Sequence, residues 1–420
     1  MKILWLINIQ LPEISLLLNE QSSPFGGWLI NASKDLAEKD GIELSIVFPK
    51  KGLKESRKLK GNRINYYAFK PVGDQDKKLF EGNRIFKDII KEVKPDIVHI
   101  YGTEFAHTLS MVNACIEERV RSVISIQGLV SIIEKHMVAN LPWKVIYGFT
   151  LRNLLRKDNV KGLQKSFYNR GKNEIKAINK IKHIIGRTTW DKACTSQINP
   201  EAKYYFCNET LRDEFYKHEW DIEKCEKNSI FLSQGQYSIK GLHYVIEAMP
   251  IILKRFPSAK VYIGGKDITK SDTLKDRMLM TYYGKYIKKM IRNYKLDQNI
   301  VFIGPLDEKK MCERYLKSNV FVCPSSIENS PNSLGEAMVL GVPCVASDVG
   351  GVSDMLKHKE EGFVYQSDAP YMLAYYVCEI FENKELALSF SNKAREHALE
   401  THDRDKNTDR LIKIYKNIIK

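Results

Sequence analysis

The chain has 420 residues, of which 43% are hydrophobic and 28% are charged, and its formal net charge at pH 7 is +15. The chain is long enough for two α/β domains, each with its own core, and its composition is ordinary for a soluble globular protein. No run approaches the ~18 consecutive apolar residues that a membrane-spanning helix needs.

The N-terminus and the cysteines favour a cytoplasmic protein. The apolar run at the start reaches Glu13 without a small-residue cleavage site, so it is interpreted as a first buried strand rather than a signal peptide. The eight cysteines include no C-x-x-C pair. That pattern is typical of reduced cysteines and indicates neither a disulfide framework nor a zinc site.

The positive charge is concentrated in the first half. Residues 1–200 hold 33 Lys and Arg against 20 Asp and Glu, and residues 131–185 alone hold 12 against 3. In this segment the cations alternate with aromatic and aliphatic residues, which predicts a helix lying on an anionic membrane surface. A solvated face is the alternative. Nucleic-acid binding is disfavoured because no helix-turn-helix, zinc-finger or RNP signature accompanies the charge.

Strand-like and helix-like runs alternate along the first half. A helix is predicted over residues 28–39, and a polar loop precedes it. The predicted strands are residues 3–9, 41–48, 95–101, 122–126, 183–186 and 203–207. This alternation predicts a parallel, doubly wound α/β sheet.

The second half restarts the same pattern after a charge-dense stretch. The predicted strands there are residues 229–233, 260–264, 299–303, 319–323 and 343–347. Helices are predicted over residues 242–256 and 406–419. The sequence therefore predicts an N-terminal domain (1–212), a linker (213–227), a C-terminal domain (228–395) and a terminal helix (396–420).

Residues 324–355 carry two carboxylates eight positions apart, Glu328 and Glu336. A strand leads into them, a Gly/Pro/Ser/Asn-rich turn separates them, and a helix starts near the second. Such a loop, at the carboxyl end of a strand, is where open α/β sheets bind ligands. The free amides of Ser333, Leu334 and Gly335 are expected to hold a diphosphate, with Glu336 on a ribose diol and Glu328 on a sugar.

The same residues have a structural alternative. Ser333 and Glu336 have the spacing of a capping box, which needs no ligand. Glu328 can be an ordinary exposed carboxylate of a loop.

The whole segment resembles the retaining GT4-type glycosyltransferases, also called the glycosyltransferase group 1 family. Their signature is Glu, seven residues, a second Glu, Ala-Met, Gly-x-Pro-Val and a Gly-Gly loop. Here it reads Glu328, Glu336, Ala337-Met338, Gly341-Val342-Pro343-Cys344 and Gly350-Gly351. The resemblance implies the GT-B architecture, in which two Rossmann-like domains face each other across a cleft, and a terminal helix that crosses back to the first domain.

Leaving-group charge is expected to be neutralised without a metal. Asp74-Gln75-Asp76 matches the D-x-D pattern of metal-dependent transferases but follows no apolar strand, so it is interpreted as a coincidence.

The family carries Gly-Arg-x-x-x-Lys-Gly, whose Arg and Lys contact the diphosphate. This chain has Gly235, Gln236 and Lys240-Gly241 instead, so Lys240 is the candidate cation and the charge of the Arg is missing.

The resemblance also assigns the remaining site residues. Gly26 and Gly27 match the glycine-rich loop where the backbone approaches acceptor and phosphate, and Gln127 stands where many relatives have a histidine. His99 and His107 lie nearby, although a histidine on a strand is more often a core residue. The expected catalytic residues are Glu328, Lys240 and Gln127, and the expected donor-binding residues are Glu336, Gln236, Asn332, Ser333, Leu334 and Gly264.

The role of two polar segments at the ends of late first-domain strands is left undecided. Residues 186–191 and 208–212 either line the acceptor site or donor phosphates, or fix the linker through buried ion pairs. The sequence favours neither interpretation.

The expected function is transfer of a sugar, with retention, from a UDP- or GDP-sugar to a hydroxyl of a glycan or lipid-linked glycan. Charge and family habit together suggest bacterial surface polysaccharide synthesis by a cytoplasmic enzyme peripheral to the inner face of the membrane, with no metal, cofactor or nucleic acid. The alternatives are a GT-B sugar-nucleotide epimerase and a non-catalytic binding protein. Replacing Glu336 with Ala is expected to weaken nucleotide binding by about 1.5–3 kcal/mol and to leave the melting temperature nearly unchanged.

Overall fold

The computed structural model describes residues 1–20, 26–53, 55–73 and 76–420. Asp74 and Gln75 of the D-x-D pattern, and residues 21–25 of the loop before Gly26, lie outside these ranges. The chain divides into two compact units. The first comprises Met1–Ile132, Phe167–Leu211 and His402–Lys420, and the second comprises Ile133–Ser166 and Arg212–Thr401.

An eight-stranded sheet forms the centre of the first unit. Its strands are β1 (Lys2–Leu6), β2 (Glu43–Pro49), β3 (Arg57–Lys60), β4 (Ile64–Phe69), β5 (Ile97–Tyr101), β6 (Arg121–Ser125), β7 (His183–Gly186) and β8 (Lys203–Phe206). Their order is β3-β4-β2-β1-β5-β6-β7-β8, and every neighbouring pair is parallel except β3 with β4. The inner strands are buried because helices cover both faces, as parallel sheets require.

Of the helices in the first half of the chain, those of the first unit cover this sheet, whereas those within residues 133–166 belong to the second unit. The helices of the first half are α1 (Pro12–Leu17), α2 (Gly27–Ala37), α3 (Asp76–Val93), α4 (Ala106–Glu117), α5 (Val130–His136), α6 (Trp143–Tyr147), α7 (Leu151–Arg156), α8 (Val160–Lys180) and α9 (Thr189–Ile198). One buried cluster joins β1 and β5 to α3 and α4, and the other joins them to α1 and α2.

The second unit is built on a six-stranded, fully parallel sheet. Its strands are β9 (Glu226–Leu232), β10 (Lys260–Gly264), β11 (Ile300–Gly304), β12 (Ser318–Cys323), β13 (Cys344–Ser347) and β14 (Phe363–Tyr365). Their order is β11-β10-β9-β12-β13-β14. The sheet order reverses direction between β9 and β12, which is where open sheets of this kind bind ligands.

The remaining helices belong to the second half of the chain. They are α10 (Leu242–Arg255), α11 (Leu274–Leu279), α12 (Tyr282–Asn293), α13 (Glu308–Leu316), α14 (Asn332–Leu340), α15 (Val352–Met355), α16 (Pro370–Glu382), α17 (Lys384–Thr401) and α18 (Arg404–Ile419). None of the helices in the described ranges is both long and apolar enough to cross a bilayer.

The last helix, α18, belongs to the first unit. The Trp5 indole of β1 donates to the Tyr415 hydroxyl at 3.0 Å, and both side chains are buried. Arg404 pairs with Asp35 of α2, with Nη2 and Oδ1 2.6 Å apart. Helix α18 thus belongs to the same unit as strand β1.

Residues 133–166 differ from the boundaries expected from the sequence. We predicted them within the N-terminal domain, but the structure groups them with the second unit. The Thr150 hydroxyl donates to the Met280 carbonyl at 2.8 Å, Arg152 Nη1 donates to the Leu279 carbonyl at 2.7 Å, and the Tyr282 amide donates to Asn153 Oδ1 at 2.9 Å. These bonds join positions about 130 residues apart, which sequence order does not reveal.

The stretch predicted as a linker is also ordered within the second unit. Asp213–Lys217 form a 3₁₀ turn, and Trp220 is buried with its indole donating to the Ser318 carbonyl at 2.8 Å. The stretch was predicted as a linker because of its high charge, and the buried Trp220 was not recognised.

Every strand predicted from the sequence has a counterpart in the structure, and the prediction of two α/β Rossmann-like domains is confirmed. Three strands within the described ranges were missed, namely β3, β14 and the largely buried β4. Of these, β3 is a polar edge strand and β14 has only three residues. β3 lacks the apolar run that identifies a buried strand, and the apolar run of β14 is too short to identify one.

Candidate functional site

Glu328 and Lys240, which are 88 positions apart, meet in the second unit. Glu328 lies in the loop that follows β12, and Lys240 ends a 3₁₀ turn between β9 and α10. Lys240 Nζ and Glu328 Oε1 are 2.5 Å apart, and the Ser325 hydroxyl donates to the same oxygen at 2.7 Å. Both charged side chains are largely but not fully buried, so a cation is held at the carboxyl edge of the sheet.

Two glycines let these loops approach each other. Gly241 has φ +70°, and a Cβ there would lie 1.8 Å from the Pro324 carbonyl oxygen. Gly350 has φ +56°, and a Cβ there would lie 1.8 Å from the Glu328 carbonyl oxygen, which accepts from the Gly351 amide at 3.1 Å. The Lys-Gly and Gly-Gly motifs therefore fix the backbone on either side of the ion pair.

The pKa of Lys240 is raised. Burial by itself lowers this pKa, but the charge of Glu328 and its hydrogen bond together outweigh the burial. Lys240 is consequently a full cation at neutral pH, as electrostatic stabilisation of a departing anion requires.

The N-terminus of α14 corrects two expectations. The N-cap is Pro331, with no side-chain capping bond, so the capping-box alternative for Ser333 and Glu336 is wrong. The Leu334 and Gly335 amides both donate to the Pro331 carbonyl, at 2.9 and 3.3 Å, so they are engaged rather than free. The amides that remain for an anion are those of the first two helical residues, which have no intrahelical acceptor; these are Asn332 and Ser333.

Glu336 is held by a partner that the motif did not reveal. Arg212 Nε donates to Oε1 at 2.7 Å and Arg212 Nη2 donates to Oε2 at 2.8 Å. Burial raises the pKa of Glu336, and the guanidinium opposes that rise. For Arg212, the last residue of the polar segment 208–212, the buried-ion-pair interpretation is the one that the geometry supports.

Gln236 lines a cavity of about 400 Å³ in the second unit, and Gly264 precedes another lining residue, Lys266, by two positions. A Cβ on Gly265 would lie 2.6 Å from Gln236 Nε2, and a Cβ on Gly264 would lie 2.5 Å from the Ser233 carbonyl oxygen. The lining includes the cations Lys266 and Lys270, together with Gln236, Tyr237, Ser238 and Pro305. This cavity opens beside the loop that carries Lys240.

Gln127 belongs to the first unit, in a network with Glu209 and Arg187. Its amide donates to Glu209 Oε1 at 2.5 Å, and Arg187 Nη1 lies 2.6 Å from Glu209 Oε2. Burial raises the pKa of Glu209, while the charge of Arg187 and the hydrogen bond from Gln127 oppose that rise. The segments 186–191 and 208–212, which the sequence analysis left open, are thereby joined through a buried ion pair.

A cavity of about 40 Å³ lies beside this network. Two buried polar atoms in its lining, Arg187 Nε and Thr210 Oγ1, have no hydrogen-bond partner among the described residues. Water or a ligand hydroxyl can satisfy such atoms. His99 also lines it, but both ring nitrogens are occupied: Nδ1 lies 2.5 Å from the Tyr415 hydroxyl and Nε2 lies 2.6 Å from the Ser125 hydroxyl.

Gly26 and Gly27 open α2 in the first unit. Gly26 is the N-cap with φ +78°, and a Cβ there would meet Ile9 Cδ1 at 1.8 Å. The positive φ therefore favours a glycine at position 26, whereas the Ile9 side chain can rotate away from an added Cβ. Their expected role toward acceptor and phosphate stays a prediction, as do the roles of the other site residues.

The described residues contain no group of three or more His, Cys, Asp or Glu side chains that can hold a metal ion. Metal independence stays a prediction.

Known proteins are similar in sequence to part of this chain and similar in fold to nearly all of it. Residues 214–397 match the family model described as glycosyl transferases group 1. An uncharacterized glycosyltransferase of Methanocaldococcus jannaschii is 27% identical over 195 residues, which is 46% of this chain and 46% of the relative. The match thus spans about half the length of this curated relative.

Two solved structures align over essentially the entire chain. Sucrose-phosphate synthase from Thermosynechococcus elongatus has a TM-score of 0.72 at 14% identity, covering 100% of this chain and 99% of its own. The Anabaena protein HepE, solved in complex with UDP and glucose, has a TM-score of 0.68 at 13% identity, covering 99% and 100%. Residues 214–397 are therefore similar to the glycosyl transferases group 1 family, in a chain that has the GT-B fold.

Proposed function

We propose that this protein transfers a sugar, with retention of configuration, from a UDP- or GDP-sugar to a hydroxyl acceptor. The observation that carries the proposal is the Lys240–Glu328 pair, which lies at the carboxyl edge of the sheet within the segment similar to the glycosyl transferases group 1 family. Glu328 precedes the first residue of α14 by four positions, so a fixed cation and a helix N-terminus adjoin one loop. Both features favour a bound diphosphate.

In this proposal the diphosphate contacts Lys240 and the amides of Asn332 and Ser333. Glu336 accepts from the ribose hydroxyls, since each carboxylate oxygen can accept a further hydrogen bond beside the one from Arg212. Arg212 then orients the carboxylate without touching the donor.

The cavity of about 400 Å³ is of the size that small-molecule sites have, roughly 300–1,000 Å³. We assign the nucleoside end of the donor to it. Gln236 replaces the arginine of relatives and supplies hydrogen bonds but no charge. Lys266, Lys270 and Arg152 line the same cavity, but so do Asp158, Asp267 and Asp276, so the charge of the missing arginine falls to Lys240 and the helix amides.

The proposed reaction breaks the bond between the anomeric carbon and the diphosphate oxygen. A bond from the acceptor oxygen to that carbon forms on the same face of the sugar, and the acceptor's proton passes to the leaving phosphate. Lys240 stabilises the negative charge that develops on the diphosphate, and Glu328 stabilises the positive charge near the anomeric carbon. Gln127 donates a hydrogen bond to a sugar hydroxyl and does not act as an acid. No metal takes part.

The proposed setting is the cytoplasmic face of a bacterial membrane, in the synthesis of a surface polysaccharide such as capsule, exopolysaccharide or lipopolysaccharide. The basic and aromatic composition of residues 131–185 supports a glycan or lipid-linked glycan as acceptor, because such acceptors are presented at a membrane.

The first experiment is to incubate the protein with a panel of UDP- and GDP-sugars and to measure free nucleotide. We expect slow release from one donor, lowered about 100-fold or more in Glu328→Gln, because the variant loses the charge that pairs with Lys240. Glu360→Gln is the matched control, since that carboxylate is exposed and lies in the same unit.

Three results would contradict the proposal. Equal release of nucleotide by the wild type and Glu328→Gln would show that the ion pair plays no part in the reaction. Conversion of the donor sugar to its epimer indicates a sugar-nucleotide epimerase. Nucleotide binding without turnover, even with lipid-linked acceptors present, indicates a non-catalytic binding protein.

A further inference from the structure

Helices α6 and α7 expose apolar side chains to solvent. Trp143 and Leu155 are 68% and 77% exposed, and Tyr147, Phe149, Leu151 and Leu154 are exposed as well. The exposed residues of α7 follow the i, i+3, i+4 spacing of a single helix face. We call these six residues the outward apolar surface.

The inner side of α7 is polar, which is the reverse of a usual amphipathic helix. Asn153 and Thr150 are buried, and together with Arg152 they form the hydrogen bonds to residues 279–282 described above. Globular proteins normally bury leucines and expose asparagines. The structure thus anchors α7 through its polar residues and leaves its leucines available to a partner.

Helix α11, which packs against α7, extends the surface. Leu274 and Met278 lie one turn apart on α11 and are 77% and 57% exposed. Exposed apolar side chains on two helices that contact each other mark an interaction site more clearly than one scattered leucine.

Cations border the outward apolar surface. Lys144 Nζ lies 5.6 Å from the centroid of the Trp143 ring, and Lys161 Nζ lies 5.9 Å from that of Tyr147. Further exposed cations in the segment are Arg156, Lys157 and Lys165. The single acidic residue between positions 143 and 165, Asp158, is paired with Arg152 at 2.9 Å.

We propose that the outward apolar surface and its cations dock the protein on an anionic phospholipid bilayer. Leucines and aromatic rings at this spacing enter the boundary between headgroups and acyl chains, while lysines and arginines contact the phosphates. A symmetric pairing of two copies would set like charges against each other, and a nucleic acid offers no apolar phase for the leucines. This docking surface rests on the membrane setting proposed above and identifies the side chains that contact the lipid.

The test is flotation of the purified protein with vesicles of phosphatidylcholine, with and without one third phosphatidylglycerol. We expect binding to the anionic vesicles only, weakened about ten-fold between about 50 and about 300 mM salt, because salt screens the lysine–phosphate contacts. Leu154→Gln/Leu155→Gln is expected to lower vesicle binding at least ten-fold, because burial of these side chains drives insertion.

Tyr371→Gln/Tyr375→Gln is the matched control. It replaces two exposed apolar residues one turn apart on α16 of the same unit, and it is expected to bind vesicles as the wild type does. Both double variants should melt at the wild-type temperature, because all four side chains are largely exposed.

Wild-type levels of vesicle binding by the leucine variant would overturn the proposal, as would equal binding to neutral and anionic vesicles or no binding to either. A wild-type dimer that becomes monomeric in the leucine variant, seen by sedimentation without vesicles, would show that the surface joins two copies instead. Nucleotide binding measured by calorimetry without lipid tests the sugar-transfer proposal separately.

Discussion

Arg212 donates two parallel hydrogen bonds to Glu336, from Nε to Oε1 at 2.7 Å and from Nη2 to Oε2 at 2.8 Å. Both side chains are mostly buried, so each charge depends on the other for solvation. The carboxylate proposed to hold the ribose is thus also part of the framework of the second unit.

Replacing Glu336 with Ala should therefore lower stability as well as nucleotide affinity. The variant leaves the Arg212 guanidinium buried without its partner, which costs about 3–5 kcal/mol of unfolding free energy. This replaces the expectation, drawn from the sequence, of a nearly unchanged melting temperature. The measurement is chemical denaturation, together with calorimetric nucleotide binding under conditions where the variant is folded.

Arg212→Ala is the companion variant, and it should be destabilised to a similar degree. The double variant should lose less than the sum of the two, because the two side chains form one unit. Strict additivity of the two losses would show that the bidentate pair does not exist in solution.

Gly241→Ala should impair both folding and activity. Its Cβ would lie 1.8 Å from the Pro324 carbonyl oxygen at φ +70°, so the loop that carries Lys240 must move. We expect donor turnover to fall at least ten-fold, because displacement of a charged group by ~1 Å misaligns it with the diphosphate.

Gly304→Ala is its control, because Gly304 also has a positive φ of +78° but nothing lies within 4 Å of the added Cβ. This variant adds only the backbone strain of an alanine at positive φ, so its free energy of unfolding should fall by about 1–2 kcal/mol. Thermal unfolding measures this change. Similar activity in the two alanine variants would refute the positional role of Gly241.

Arg187→Met should destabilise the first unit, because it leaves Glu209 buried without its cation. We expect a loss of about 3–5 kcal/mol in denaturant unfolding. Adding Glu209→Gln to this variant should restore part of that loss, since the uncompensated charge is removed. No restoration by the second substitution would mean that the pair does not govern stability.

His99 should make the protein sensitive to acid. Burial lowers its pKa to about 3, below the ordinary value of 6.5, so the folded protein keeps the ring neutral. Its contribution to stability is therefore fully present above pH 6.5 and is lost as the pH falls toward 3, because unfolding then binds a proton.

His99→Gln removes this titration and can keep hydrogen bonds to Tyr415 and Ser125. The unfolding free energy of the wild type relative to this variant should fall by about 2 kcal/mol between pH 7 and pH 5. Denaturation curves at the two pH values provide the measurement, and a pH-independent difference would contradict the neutral buried ring.

Much of the fold was readable from local pattern. Buried parallel strands such as β5 and β12 are short apolar runs with turn residues beside them, so their positions could be predicted. The loop carrying Glu328 and the helix carrying Glu336 could be placed for the same reason. β3 escaped prediction because as a polar edge strand it shows no such run.

The sequence by itself determined the two α/β domains and the segment from Glu328 to Gly351, because strand and helix periods and turn glycines are local properties. Only the tertiary structure decided that Lys240 pairs with Glu328, that Arg212 holds Glu336, and that α7 turns its leucines outward. Each of these depends on contacts between residues tens to hundreds of positions apart, and such contacts follow from how whole elements pack.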